Sequence, residues 1–84
     1  MSEQRISKEV IPEFEKIIND DGVPKNIKSK IDNIISIITE ASSTTEFKTN
    51  KALQELEEIS EETNMPEHVR TQIWSIVSLL ESIQ

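Results

Sequence analysis

Isoleucine favours β-strands, yet this chain spaces its isoleucines for helices. Fourteen of its 84 residues are Ile, and they recur at intervals of three and four. Ile6, Val10, Phe14 and Ile17 form one such stripe, widened by Ile11 and Ile18. Ile27, Ile31, Ile34, Ile35 and Ile38 form a second, and Ala52, Leu53, Leu56 and Ile59 a third. Val69, Ile73, Ile76, Val77, Leu80 and Ile83 form the fourth. Each stripe occupies one face of a 3.6-residue period, and no segment alternates as a strand does. The spacing predicts an all-α chain of four helices.

The punctuation divides the same four segments. Asn19-Asp20-Asp21-Gly22-Val23-Pro24 ends the first helix, and Pro24 suits the first place of the second, where its missing N–H costs nothing. Ala41-Ser42-Ser43-Thr44-Thr45 supplies hydroxyl caps before the third. Thr63-Asn64-Met65-Pro66 repeats the proline device before the fourth. Pro12 falls inside the first stripe, so the first helix kinks there, or residues Ser2 to Ile11 form a separate turn; one kinked helix is the expectation. Connections this short place neighbours antiparallel, and the expected architecture is an up-and-down four-helix bundle over residues 1–84 as a single domain.

The chain also aligns with itself at an offset of forty-two residues. Pro24 falls on Pro66, Ile27 on Val69, Lys28 on Arg70, Ile31 on Ile73, Ile34 on Ile76 and Ile38 on Leu80. Upstream, Phe14 meets Leu56 and Ile17 meets Ile59. Residues 1–42 and 43–84 therefore read as two copies of one helical hairpin, neither able to bury its apolar face alone. The period also suits two stacked HEAT-like hairpins, although such arrays usually need three or more units, which favours the closed bundle.

The string Asn64-Met65-Pro66-Glu67-His68-Val69-Arg70-Thr71-Gln72-Ile73-Trp74 and the earlier Asp20-Asp21-Gly22-Val23-Pro24-Lys25-Asn26-Ile27-Lys28 resemble a family of small, functionally uncharacterised archaeal all-helical proteins, one of the families carrying a UPF designation. The resemblance runs over nearly the whole chain, weakest at residues 1–8 and around Ser42 to Asn50. It implies a compact four-helix bundle, an archaeal cytoplasmic source and no assigned activity. It supplies no catalytic motif.

Composition removes most chemistry. With no Cys, a single Gly and a single His, thiol catalysis, Cys-ligated metals and iron–sulfur clusters are excluded, and so are the glycine-rich phosphate and dinucleotide loops. One His cannot furnish the two Glu-x-x-His pairs of a di-iron bundle. The expectation is a protein that is not an enzyme and holds no cofactor or metal, with His68 an exposed residue at a helix start. The polar beginning and the lack of a ~20-residue apolar run point to the cytoplasm and away from a membrane. A net charge of −7 repels nucleic-acid phosphates, and no basic stripe interleaves with aromatics, which argues against direct nucleic-acid binding.

Three surface features remain as candidates. Lys28 and Arg70, eight residues after Asp20 and Glu62 respectively, suggest a matched structural ion pair bracing each hairpin; Lys25, Lys28 and Lys30 at a helix start otherwise suit a small anion. Glu55, Glu58 and Glu62 give the third helix an acidic face, either solvating or a dock for basic proteins. Trp74 lies about 140° around its helix from Val69, at the stripe's edge, and the repeat-equivalent Ile37 and Leu79 also fall off centre. Trp74 is either a lid on a wide core or a binding anchor. The function this supports is a protein–protein interaction or structural module with an unidentified protein partner, self-association into a homodimer being one form. The alternative is an acidic accessory protein of ribosomal or nucleic-acid machinery docking onto basic proteins.

Overall fold

The computed structural model describes residues 5–40 and 42–83. The first residues of the alternative turn over 2–11, residues 2–4, and Ala41 of the central linker lie outside them. Every regular element among the described residues is helical. A π-helical turn, Ile6–Val10, runs directly into α1, Ile11–Ile18. It is followed by α2, Lys25–Ile38, α3, Thr45–Ile59, and α4, Glu67–Ile83.

The π turn is how the chain accommodates Pro12. That residue has no N–H to donate, and its ring would collide with the carbonyl one α-turn back. The turn before it widens instead, and the Ile11 N–H bonds to the Ile6 carbonyl, five residues back. The helix thus continues across the proline, and Ile6, Val10, Phe14 and Ile17 are all buried.

Pro24 sits one place earlier than its expected position. It has extended backbone, φ −59° and ψ 149°, and is the N-cap of α2 rather than its first residue. Its carbonyl accepts from the N–H groups of Ile27 and Lys28 at 3.1 Å each, and Pro66 does the same for Val69 and Arg70, also at 3.1 Å. The capping role expected of the central linker falls to Thr44, whose hydroxyl oxygen accepts from the Phe47 N–H at 3.1 Å.

The apolar stripes meet in one core. Phe14, Ile17, Ile27, Ile31, Leu56, Ile73, Ile76 and Leu80 are fully buried within it. Contacts run from α1 to α2, α2 to α3 and α3 to α4, and α4 returns to α1 and the π turn. Each buried residue from Ile6 to Ile38 has a buried counterpart forty-two positions on, including Val23 with Met65 and Val10 with Ala52. The counterpart of Ile6 is Lys48, which is buried as well.

Beside it Thr49 is fully buried, and its hydroxyl has no hydrogen-bond partner among the described residues. A desolvated, unpaired hydroxyl costs about 1–2 kcal/mol. Thr49→Val keeps the shape and removes that cost, so the melting temperature should rise by roughly 5–10 °C. Calorimetry checks this, and a lower melting temperature would mean that the hydroxyl contributes a bond.

Candidate functional site

Helices α3 and α4 bury Leu56 and Ile73 where they face each other, and the next residues round each helix, Leu53 and Val77, are half-buried at the surface. Between them runs a groove of about 210 Å³ that Trp74 flanks. Trp74 is 58% exposed, so it is not a lid on the core. Two carboxylate residues, Glu57 and Glu81, line the groove with the small residue Ser60. The Ser60 hydroxyl donates to the Glu57 carbonyl at 2.7 Å, which keeps it folded back against its own helix.

This groove is open because the two halves of the chain differ here. At the positions equivalent to Ser60 and Leu56 the first half carries Ile18 and Phe14, both larger and apolar. Opposite them, Asp32 stands at the position of Trp74. The second half thus has less apolar bulk at this seam than the first and an exposed indole beside it.

Ile37 and Leu79 do not join Trp74. Leu79 is half-buried against the core, about 140° around α4 from Trp74. Ile37 lines a separate hollow of about 280 Å³ between α2 and α3, with Ser36, Phe47 and Lys51. The exposed large apolar residue there is Phe47, at 59%, which the spacing argument above does not single out. Its signal was present: Phe47 lies about 140° from Ala52 on a 100°-per-residue helix, far from the third stripe.

The acidic face expected from Glu55, Glu58 and Glu62 is also divided. Glu55 pairs with Lys51 at 3.8 Å, one turn away. Glu62 is drawn to the end of the molecule, where it accepts from the Asn26 amide at 2.9 Å and meets Lys30 at 3.4 Å. Glu58 alone of the three is exposed.

The expected pairs Asp20–Lys28 and Glu62–Arg70 give way to different partners. Arg70 donates to the carbonyls of Ser60 at 2.6 Å and Glu62 at 3.0 Å, the C-cap of α3 and a residue just beyond it, so it satisfies backbone rather than a carboxylate. Asp20 accepts from the Gly22 N–H at 2.8 Å and pairs with His68 Nε2 at 2.6 Å. Asp20 and Glu62 are equivalent in the two halves, and so are Asn26 and His68. Each loop therefore reaches across to the start of the other half's second helix. Neighbouring loops fold side by side at one end, which brings distant carboxylates closer than the ones eight residues away. His68, expected as an exposed helix-start residue, is exposed at the start of α4 and forms half of this clasp. Among the described residues no three His, Asp or Glu side chains converge to hold a metal ion, and no helix is long and apolar enough to cross a membrane.

The hydrogen bond from His68, then that from the Gly22 N–H, holds the Asp20 carboxyl below its usual range. A carboxylate whose pKa is depressed by folding stabilises the native state above its unfolded value, about 3.9, and that contribution is lost as pH falls through the native value. Asp20→Asn should therefore be less stable than the parent at pH 6, with the difference closing as pH falls below the unfolded value and through the lower native one. Urea melts across that range check this, and a constant difference would remove Asp20 from the acid transition.

The chain matches the model of the uncharacterised protein family UPF0147 over residues 1–83, and it belongs to that family. It is also similar to a solved protein described as unknown function protein MMP1188, with 38% identity and a TM-score of 0.85 over 99% of this chain and 90% of that one. No curated protein matches it.

Proposed function

We propose that this member of the UPF0147 family is a non-enzymatic protein–protein interaction module that docks through the Trp74 groove. The observation that carries the reading is an indole more than half exposed beside an apolar groove open to solvent. Trp is the side chain most favoured as a binding anchor, because it brings large apolar area and one N–H donor at low entropic cost. A groove of about 210 Å³ falls below the roughly 300–1,000 Å³ of a small-molecule site, and it suits one inserted side chain. The Ser60 hydroxyl in the groove donates to the Glu57 main-chain carbonyl and not to a base, which favours binding over catalysis.

The frame we infer is a closed, antiparallel, up-and-down bundle made by duplicating one hairpin. Successive helices touch and the last returns to the first, whereas stacked hairpins would bring α1 against α3 and α2 against α4. A cross-section of 19 × 18 Å suits a two-by-two array with axes about 8–10 Å apart. The paired burial and the reciprocal Asp20–His68 and Glu62–Asn26 contacts favour duplication.

Affinity capture from lysate of the source organism tests the function. The intact chain and Trp74→Ala serve as parallel baits, each washed at low salt and at about 0.5 M salt, where charge contacts are screened. A partner retained at high salt by the parent and lost by Trp74→Ala is expected. Equal recovery on both baits would refute the docking face.

A further inference from the structure

We infer that the occupant of the Trp74 groove is a lysine- or arginine-bearing amphipathic helix of another protein. The inference rests on the docking reading above and specifies its partner. Two observations choose the charge. The groove's charged lining residues are both acidic, Glu57 and Glu81. The whole chain carries −7, so a basic segment is attracted from a distance and then meets carboxylates beside its apolar anchor.

The same charge argues against a second copy. A twofold contact through this groove would set acidic rims against acidic rims, between two molecules that already repel.

The all-helical surface selects the form of the segment. An extended peptide binds well where a sheet edge pairs its N–H and C=O groups. Helices α3 and α4 use those groups internally, so an extended segment laid on Leu53 and Val77 would lose hydration without gaining bonds. A helix satisfies its own backbone and presents an apolar stripe, and one such stripe packs into the seam between two helices. One large apolar side chain enters beside Trp74, over Ser60, while basic residues one and two turns further along the same direction reach Glu57 and Glu81.

The test uses two fluorescein-labelled synthetic peptides of about eighteen residues, long enough to run along most of a helix pair. They share one leucine stripe; one has a Lys/Arg polar face and the other a Glu face. Binding is followed by anisotropy, and the emission of Trp74, the chain's single Trp, is followed with unlabelled peptide. The basic peptide should bind at least about tenfold tighter than the acidic one and shift Trp74 emission to the blue. Glu57→Gln with Glu81→Gln should weaken it at least about fivefold, whereas Glu15→Gln with Glu46→Gln, the same change in net charge elsewhere, should weaken it less than about twofold. Ser60→Ile, which fills the groove with the residue the first half carries at that position, should abolish the blue shift.

Equal losses from both Glu pairs would overturn the inference, since net charge and not the groove would then hold the peptide. Equal affinity for both peptides would overturn it as well. A chain that dimerises in sedimentation, and stops dimerising with Ser60→Ile, would give the groove to a second copy instead. If the peptides fail while Trp74→Ala still loses its captured partner, the basic helix is wrong and the docking face stands.

Discussion

Phe14→Ala should lower the melting temperature by about 15–30 °C, the largest effect of any single truncation in the core. Phe14 is fully buried where α1 meets its neighbours. Removing a buried Phe side chain costs about 3–5 kcal/mol, through lost transfer energy and the cavity left behind. An 84-residue domain has roughly 4–13 kcal/mol in total, so the variant sits near the edge of folding at 37 °C. Phe14→Leu should cost only about 1 kcal/mol, because Leu56 already fills the equivalent place in the second half. Denaturant melts of the two variants check both values. Equal losses would mean that ring shape, not buried volume, governs the site.

Trp74→Ala should do the opposite: leave the fold and remove the partner. More than half of the indole already faces water, so truncation gives up little buried area and should cost less than about 1 kcal/mol of stability. On docking, the ring and the groove beside it are desolvated together. Truncation of a central Trp anchor typically costs at least about 2 kcal/mol of binding, roughly thirtyfold in Kd. The two readouts separate a recognition residue from a core residue, since a core Trp would lose both together.

The helices and most of the core were legible in the sequence because burial follows periodicity. Every described stripe residue that defines a helix face, from Ile6 to Ile83, packs where its spacing placed it or at the rim of that face. Pro12 marked its irregularity in advance, and a π turn is the form that irregularity takes. The surface was less legible, since side-chain partners depend on which loops come together in space. Asp20 finds His68 across forty-eight residues rather than Lys28 eight away, and no local pattern encodes that. Trp74 was distinctive by type and by angle, but only the packing of α3 on α4 shows a groove beside it, opened by Ser60 and Leu56. Phe47 was equally available by angle, and it was missed because it lies ahead of the apolar stripe of its helix.

The central claim is that Trp74 serves recognition and not the core. The measurement that tests it most directly is a pair of curves for Trp74→Ala beside the parent chain: a denaturant melt, and a binding isotherm against the partner retained at high salt. Unfolding within about 1 kcal/mol of the parent, with Kd raised at least about thirtyfold, is the result predicted. An unchanged Kd, or a loss of stability of several kcal/mol, would contradict it.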